Sequence, residues 1–371
     1  MAKYDYLIVG AGFSGAVLAE RLASQLDKKI LIIDKRKHIA GNAFDEYDKF
    51  GVLVHRFGPH IFHTNSDKVF NYLSEFTEWH EYEHKVLADL NGRLFPIPLN
   101  RISINMLYDL KLSTEEETGI FFDSVKEKRY PVLNSEDVIV NKIGLDLFNK
   151  FFKHYTLKQW NLEPKELSPE VCGRIPARLN DDCRYFQDKY QVMPTQGYNV
   201  LFNNMLNHPN IELILATDYK TIESNTDFDK MIYTGPVDYF FDYMHGSLPY
   251  RSIKFQFENY EKEFFQETAQ INYVTPDVEF TRVVEFKHMT GQKINCTTVS
   301  REFPRVEGEP FYPIPNSINR SLYKKYKIET EKIKSVIFCG RLAEYEYFNM
   351  DQAVANALKV FSKIAKGDYT G

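Results

Sequence analysis

The sequence predicts an α/β fold in which a parallel-sheet domain, built from both ends of the chain, is interrupted by a helical region and then by an antiparallel sheet. Three observations carry this prediction. The opening "YDYLIVGAGFSGAV" and the following "KILIID" have the form strand, Gly-rich turn, helix, strand. Apolar residues recur at helical spacing from about 100 to 165, then alternate as in strands between about 250 and 303. Finally "SVIFCG" and an amphipathic helix from about 350 return to the α/β pattern, so the first domain is discontinuous.

At 371 residues the chain has room for two or three domains. With 43% hydrophobic and 26% charged residues it has ordinary globular composition. The net charge of -5 excludes a general attraction to nucleic acid or anionic lipid, so an anionic ligand must be held by local cations. Cys172, Cys183, Cys296 and Cys339 show no CxxC pair and read as buried reduced thiols. The first strand starts almost at the initiator Met and no apolar run reaches membrane-spanning length, so the expected location is cytoplasmic, without membrane insertion.

Residues 4–9 read as a buried strand, 12–26 as a helix with Leu18, Leu22 and Leu26 on one face, and 29–34 as a second strand. Such a βαβ unit crosses over right-handed and places a ligand at the strand carboxyl ends. Gly10, Gly12 and Gly15 make the G-x-G-x-x-G fingerprint: one for the tight turn, one for backbone approach to a pyrophosphate, one for packing of helix on strand. Asp34 answers it at the end of the second strand, where a carboxylate accepts a ribose hydroxyl. The residues therefore predict a Rossmann-like dinucleotide domain.

The next segment, "DKRKHIAGNAF", supplies positive charge and a small turn at Ala40, Gly41 and Asn42. It resembles the FAD-binding amine oxidase and mutase group, whose members usually carry two glycines where this chain has Ala40 and Gly41. A positive φ at Ala40 would cost about 1 kcal/mol relative to Gly. In "HRFGPHIFHTN", His60 and His63 lack an accompanying carboxylate or Cys, so no metal site is expected. Gly58 and Pro59 suggest a turn presenting the His60 ring to a flat partner, with a core histidine as the alternative.

Farther along, Leu145, Phe148, Phe152 and Tyr155 predict a helix face, and the Pro and Gly punctuation over 162–182 predicts a long loop. Four strands are expected in "SIKFQFEN", "AQINYVT", "EFTRVVEFKH" and "INCTTVSREF".

Seven ordered motifs, "HxxGPHIFHTN", "YTLKQW", "GRIPAR", "RYFQDKYQVMP", "FTRVVEFKH", "PFYPI" and "GRLAEYEYFNMDQ", resemble the bacterial UDP-galactopyranose mutases over nearly the whole chain. The resemblance implies a discontinuous FAD-binding domain (1–80, 192–245 and 315–371) and a helical domain (100–180) with a mobile substrate loop at about 162–180. It further implies a six-stranded antiparallel sheet domain (81–99, 181–191 and 246–314). The implied activity is isomerisation of UDP-galactopyranose to UDP-galactofuranose without net redox change, reduced FAD acting as nucleophile on the anomeric carbon. The product would serve cell-surface glycans.

By the same resemblance, cofactor contacts are expected from Gly10, Gly12, Phe13, Ser14, Gly15, Asp34, Lys35, Gly41, Asn42, His60, Ile61, Arg341 and Met350. Substrate contacts are expected from Phe152, Tyr155, Trp160, Arg174, Tyr185, Asn272, Arg282, Tyr312 and Tyr347, with Arg174, Arg282 and His60 as the catalytic set. Two guanidinium forks suit a leaving diphosphate, and aromatics suit the base. Partners implied are a UDP-sugar, an external reductant such as NAD(P)H, and a second copy of the chain. The chain departs from the pattern at His84 and Lys85, where an amide and an arginine are usual, and at Asn349, where Asp is frequent. Two alternatives stay open on these residues. An FAD-dependent oxidoreductase of the amine oxidase type would need an apolar tunnel, and a non-catalytic escort would carry a broken fingerprint, whereas this one is intact.

Overall fold

The computed structural model describes residues 4–222 and 226–367. Its first sheet has five parallel strands in the order Ile211–Ile214, Ile30–Ile33, Tyr4–Val9, Phe228–Tyr233, Val336–Phe338. Ile30–Ile33 is buried throughout, which explains its unbroken apolar run. The fingerprint helix Phe13–Leu26 packs against the last helix, Met350–Ala365, with Leu18, Leu22, Val354 and Ala357 in one core. The two ends of the chain therefore form one unit.

The helical region holds Arg101–Tyr108, Glu115–Val125 and Ser135–Ile143, each begun by a side-chain cap from Asn100, Thr114 or Asn134. The helix face expected from Leu145 onward is only partly met. Gly144 (φ 82) ends one helix and starts the next, leaving Leu145 exposed on its first turn. Over Asn149–Lys153 the turn widens to π geometry, and the extra residue brings Phe151 and Phe152 inward together. A regular helix, His154–Trp160, follows.

The loop expected over 162–182 contains two short helices, Pro164–Glu166 and Glu170–Gly173. It is tethered at both ends. Ser135 Oγ donates to the Ser168 carbonyl at 2.7 Å and Lys142 Nζ to the Gly173 carbonyl at 2.6 Å. Beyond them, the Arg178 N–H donates to the Leu99 carbonyl at 2.9 Å. Only residues 174–177 lie between these anchors.

The second large sheet departs from the expected six antiparallel strands. It has seven, in the order Tyr312–Pro313, Tyr250–Tyr260, Thr297–Arg305, Arg282–Glu285, Gln270–Tyr273, Val86–Leu90, Arg93–Ile97. The additional strand is the two-residue Tyr312–Pro313, too short to give an alternation signal. The pairing of Gln270–Tyr273 with Val86–Leu90 is parallel, because these segments are joined through the helical region and no hairpin imposes antiparallel direction. Of the cysteines, Cys172 and Cys339 are buried, whereas Cys183 and Cys296 are only half-buried. The latter two lie outside regular elements.

Among the described residues no helix is long and apolar enough to cross a membrane.

Candidate active site

The Gly-rich turn forms one wall of a cavity of about 870 Å³ at the carboxyl ends of the parallel strands. A Cβ on Gly10 (φ 106) would lie 2.1 Å from Thr234 Oγ1, and one on Gly15 would lie 1.9 Å from the Gly10 carbonyl oxygen. Turn, helix and neighbouring strand close up only because both positions are glycine. Gly12 faces Gly41 across the cavity floor, so close that a Cβ on Gly41 would lie 3.1 Å from the Gly12 Cα. Ala40 does adopt a left-handed conformation (φ 70), held by its N–H to the Ala11 carbonyl at 2.9 Å.

Asp34 accepts the backbone N–H of Ala11 at 2.9 Å and of Arg36 at 2.8 Å, one on each oxygen. Each oxygen keeps a lone pair for a ligand hydroxyl. Gly10, Gly12, Phe13, Ser14, Asp34 and Lys35 line the cavity from the fingerprint side, and Gly41, Asn42, His60, Arg341 and Met350 from the others. Gly15 and Ile61 do not reach its wall: Gly15 is spent on helix packing, and Ile61 is buried in the core. Sequence reasoning missed Thr234, Gly235 and Gly340, which complete the wall. Gly340 had a legible signal, since it follows a buried strand as Gly10 does.

His60 Nδ1 lies 2.8 Å from the Gly58 carbonyl. A carbonyl can only accept, so Nδ1 carries the proton and Nε2 is the ring's acceptor. Burial pushes His60 down to about 4, and Arg341 and Arg282 act in the same direction. His63 goes elsewhere, with Nδ1 2.9 Å from Asp188 and its ring stacked on Phe186. Among the described residues no group of His, Cys, Asp and Glu is placed to hold a metal ion.

Beyond His60 and Arg341 the cavity meets a cluster of arginines and tyrosines. The Tyr312 and Tyr347 rings stack at 5.4 Å, and the guanidinium of Arg174 lies 4.8 Å from the centre of Tyr347, that of Arg341 5.4 Å from it. Arg174 is exposed, and Tyr347, Tyr185 and Tyr312 all act on its charge. Burial raises the Tyr347 phenol, but Arg174, Arg341 and Arg282 more than offset this and hold it below the usual tyrosine range. Burial pushes Tyr155 up to about 12, against the field of Arg282. Tyr185 belongs to the same electrostatic neighbourhood, acting on both Arg174 and Tyr155.

Sheet register builds the remaining part. Asn272 is paired directly with Arg282, and Arg282 with Glu302, so three strands present these side chains in one row. Arg282 Nε donates to Glu302 Oε2 at 2.5 Å, while the buried Glu302 Oε1 has no hydrogen-bond partner among the described residues. Burial raises the Glu302 carboxyl and Arg282 opposes the rise. Gln270 Nε2 donates to Asn272 Oδ1 at 2.8 Å. Glu302 had no sequence signal, being one acid in an alternating strand. Phe152 and Trp160 are buried in the helical-region core, against which Tyr155, Tyr185 and Tyr312 pack.

The arrangement thus joins a dinucleotide cradle to a cleft holding three guanidiniums and four phenols. Residues 150–347 match the family model for UDP-galactopyranose mutase, and residues 8–76 that for an NAD(P)-binding Rossmann-like domain. The chain is 36% identical to a probable UDP-galactopyranose mutase of Klebsiella pneumoniae, over 97% of its length and 94% of the relative's. The chain belongs to the UDP-galactopyranose mutase family.

As a member of that family it is an isomerase. Not every similar relative of the family carries the same name. A dTDP-fucopyranose mutase of Escherichia coli is also 36% identical, over 95% of this chain and 96% of its own. A crystal structure of reduced UDP-galactopyranose mutase superposes with a TM-score of 0.80 at 15% identity, covering 99% of this chain and 94% of the other, which establishes a shared fold.

Proposed function

We propose that this mutase interconverts UDP-galactopyranose and UDP-galactofuranose with FAD bound in the 870 Å³ cavity. The observation that carries the reading is the juxtaposition of that cavity with Arg174, Arg282 and Arg341. Neither Arg174 nor Arg341 pairs with a carboxylate among the described residues, so positive charge is left for a diphosphate. An amine oxidase would need an apolar tunnel here, so the cluster favours a mutase.

The cradle suits FAD: the Gly12 and Gly41 approach admits a pyrophosphate against bare backbone, and Asp34 retains acceptor capacity for a ribose. In its reduced form FAD supplies a nucleophile for the anomeric carbon, with no net redox change. The chain's own residues hold the leaving UDP. Arg174 and Arg282 offer planar forks to the two phosphates, and Tyr185, Tyr312 and Tyr347 offer hydroxyl donors. Tyr155, Phe152 and Trp160 form the base side, and Asn272 contacts the sugar. His60, neutral and with fixed tautomer, presents a flat face to the cofactor without adding charge.

We further propose the FAD-binding, helical and sheet segments 1–80 with 192–245 and 315–371, 100–180, and 81–99 with 181–191 and 246–314 as the domains. Arg174 would close over substrate on the short span 174–177, since residues 164–173 are already docked on Ser135 and Lys142. A cytoplasmic homodimer, reduced by NAD(P)H or a reductase and supplying galactofuranose to cell-surface glycans, completes the reading. Exposed apolar side chains on the helical region, among them Ile102, Met106, Ile120 and Leu133, support a second copy as the partner.

The test is anaerobic incubation of dithionite-reduced protein with UDP-galactofuranose and, separately, with a dTDP-fucofuranose, followed by chromatography. UDP-galactopyranose formed only under reduction is expected. Conversion of the dTDP-sugar alone would reassign the substrate, and turnover by fully oxidised protein without reductant would overturn the mechanism.

A further inference from the structure

Helix His154–Trp160 carries Tyr155 and Trp160, and between them stands Lys158. Its ammonium leaves the helix and enters the loop between strands Gln270–Tyr273 and Arg282–Glu285. There four backbone carbonyls surround it: Tyr273 and Thr275 at 2.8 Å, Val278 and Phe280 at 3.2 Å. An ammonium has three N–H donors, so the cage is saturated. Its two ends are adjacent in sequence to the active site, Tyr273 following Asn272 and Phe280 lying two residues before Arg282.

We infer that Lys158 is a positioning residue for nucleotide binding, clamping the base-side helix at a set distance from the strand row that presents Asn272 and Arg282. The physical case is one of connectivity. Tyr155 lies one helical turn before Lys158, on the same side of the helix. One side chain therefore couples Tyr155 to Asn272 and Arg282, groups that must meet a single nucleotide although Tyr155 is more than a hundred residues from the other two. Without the ammonium, the four carbonyls converge with no donor and repel one another, so the loop must open and the base-side helix shift away from it, while Arg282 stays held by Glu302 and by its strand pairing.

A second tie runs from Arg251 Nε to the Gln159 carbonyl at 3.0 Å. It would keep the helix attached to the sheet in a Lys158 variant, so the effect expected is misplacement and not detachment. Burial pushes Lys158 down to about 8, opposed by Asp277 on the same loop. The other titratable groups on its helix are His154 and Tyr155, the latter pushed up to about 12. The clamp should thus loosen just above neutral pH.

The inference rests on the mutase reading above, so its test includes binding as well as turnover. In Lys158→Met, UDP affinity by calorimetry should fall about tenfold and KM for the UDP-sugar rise about as much. kcat should stay within about twofold of the parent and flavin content should be unchanged. In the parent, KM and the UDP Kd should rise as pH passes about 8, and this rise should be missing in Lys158→Met. Asp277→Asn, at an exposed loop position, should move the rise to lower pH, which tests the clamp even if Lys158→Met does not fold. Unaltered UDP affinity in a folded Lys158→Met, kcat falling in step with kcat/KM, or a pH profile unmoved by Asp277→Asn would overturn the inference. A parent that binds UDP but converts no UDP-sugar would overturn the proposed function and leave the binding test of Lys158 intact.

Discussion

The guanidinium of Arg174 lies 4.8 Å from the centre of the Tyr347 ring, joining the 174–177 span to the segment that precedes the last helix. A planar cation over a π face is held without a carboxylate, so its fork stays open for phosphate.

Arg174→Lys should therefore lose more than charge conservation suggests. A lysine neither stacks on Tyr347 in the same way nor spans two phosphate oxygens. Loss of one donor to a charge developing in the transition state costs about 2.7–4 kcal/mol, so kcat should drop on the order of a hundredfold or more. Flavin content should stay at the parent level, because Arg174 is outside the cradle. Near-native turnover, or loss of flavin, would show that the residue has another role.

Arg282→Met should destabilise the fold, and do so less in acid. Removing one partner of a buried pair leaves Glu302 uncompensated, at about 3–5 kcal/mol. Burial already raises the Glu302 carboxyl in the presence of Arg282, and without it the folded-state value rises further. The folded variant then binds a proton that the unfolded chain binds only at lower pH, so the penalty shrinks as pH falls. Urea melts of parent and variant at pH 8 and pH 6 should show the gap narrowing; a constant gap would remove Glu302 as its cause.

Acid should unfold the protein through buried neutral histidines. His55 and His84 are pushed down to about 3 and His60 to about 4, all by burial first. Below about 6.5 the unfolded chain takes up protons that these rings refuse, so stability is full above that pH and is lost as pH falls toward the folded values. Each ring contributes at most about 1.4 kcal/mol per pH unit. Differential scanning fluorimetry from pH 7.5 to 5 should show a falling Tm, with a shallower slope in His84→Gln. Equal slopes would mean that His84 does not stay neutral.

Ala40→Gly should stabilise the protein. Ala40 sits at φ 70, where a Cβ is strained, and glycine would relieve about 1 kcal/mol, less the greater freedom it gives the unfolded chain. A modest rise in Tm with unchanged flavin affinity is the expected result, and a fall would show that packing of the buried methyl outweighs the strain.

How much of this was legible beforehand divides along a physical line. Local interactions write themselves into short stretches of chain: the Gly10, Gly12 and Gly15 turn, the strand at 30–33, the positive-φ position at Ala40 and the final helix all follow from backbone sterics and apolar period within a few residues. Motif order likewise carried the family. Leu145 misled because Gly144 restarts the helix, and the widened turn at 149–153 has no periodic signature.

What only the tertiary structure decided are relationships set by pairing register between distant segments. Asn272, Arg282 and Glu302 stand in one row because three strands align at those residues, and a shift of one residue would turn Arg282 to the opposite face. In the sequence Lys158 is simply the basic residue of "YTLKQW", flanked by two aromatics. It becomes a clamp because the loop at 273–280 folds its carbonyls around the place where that side chain arrives, and no window of sequence contains both.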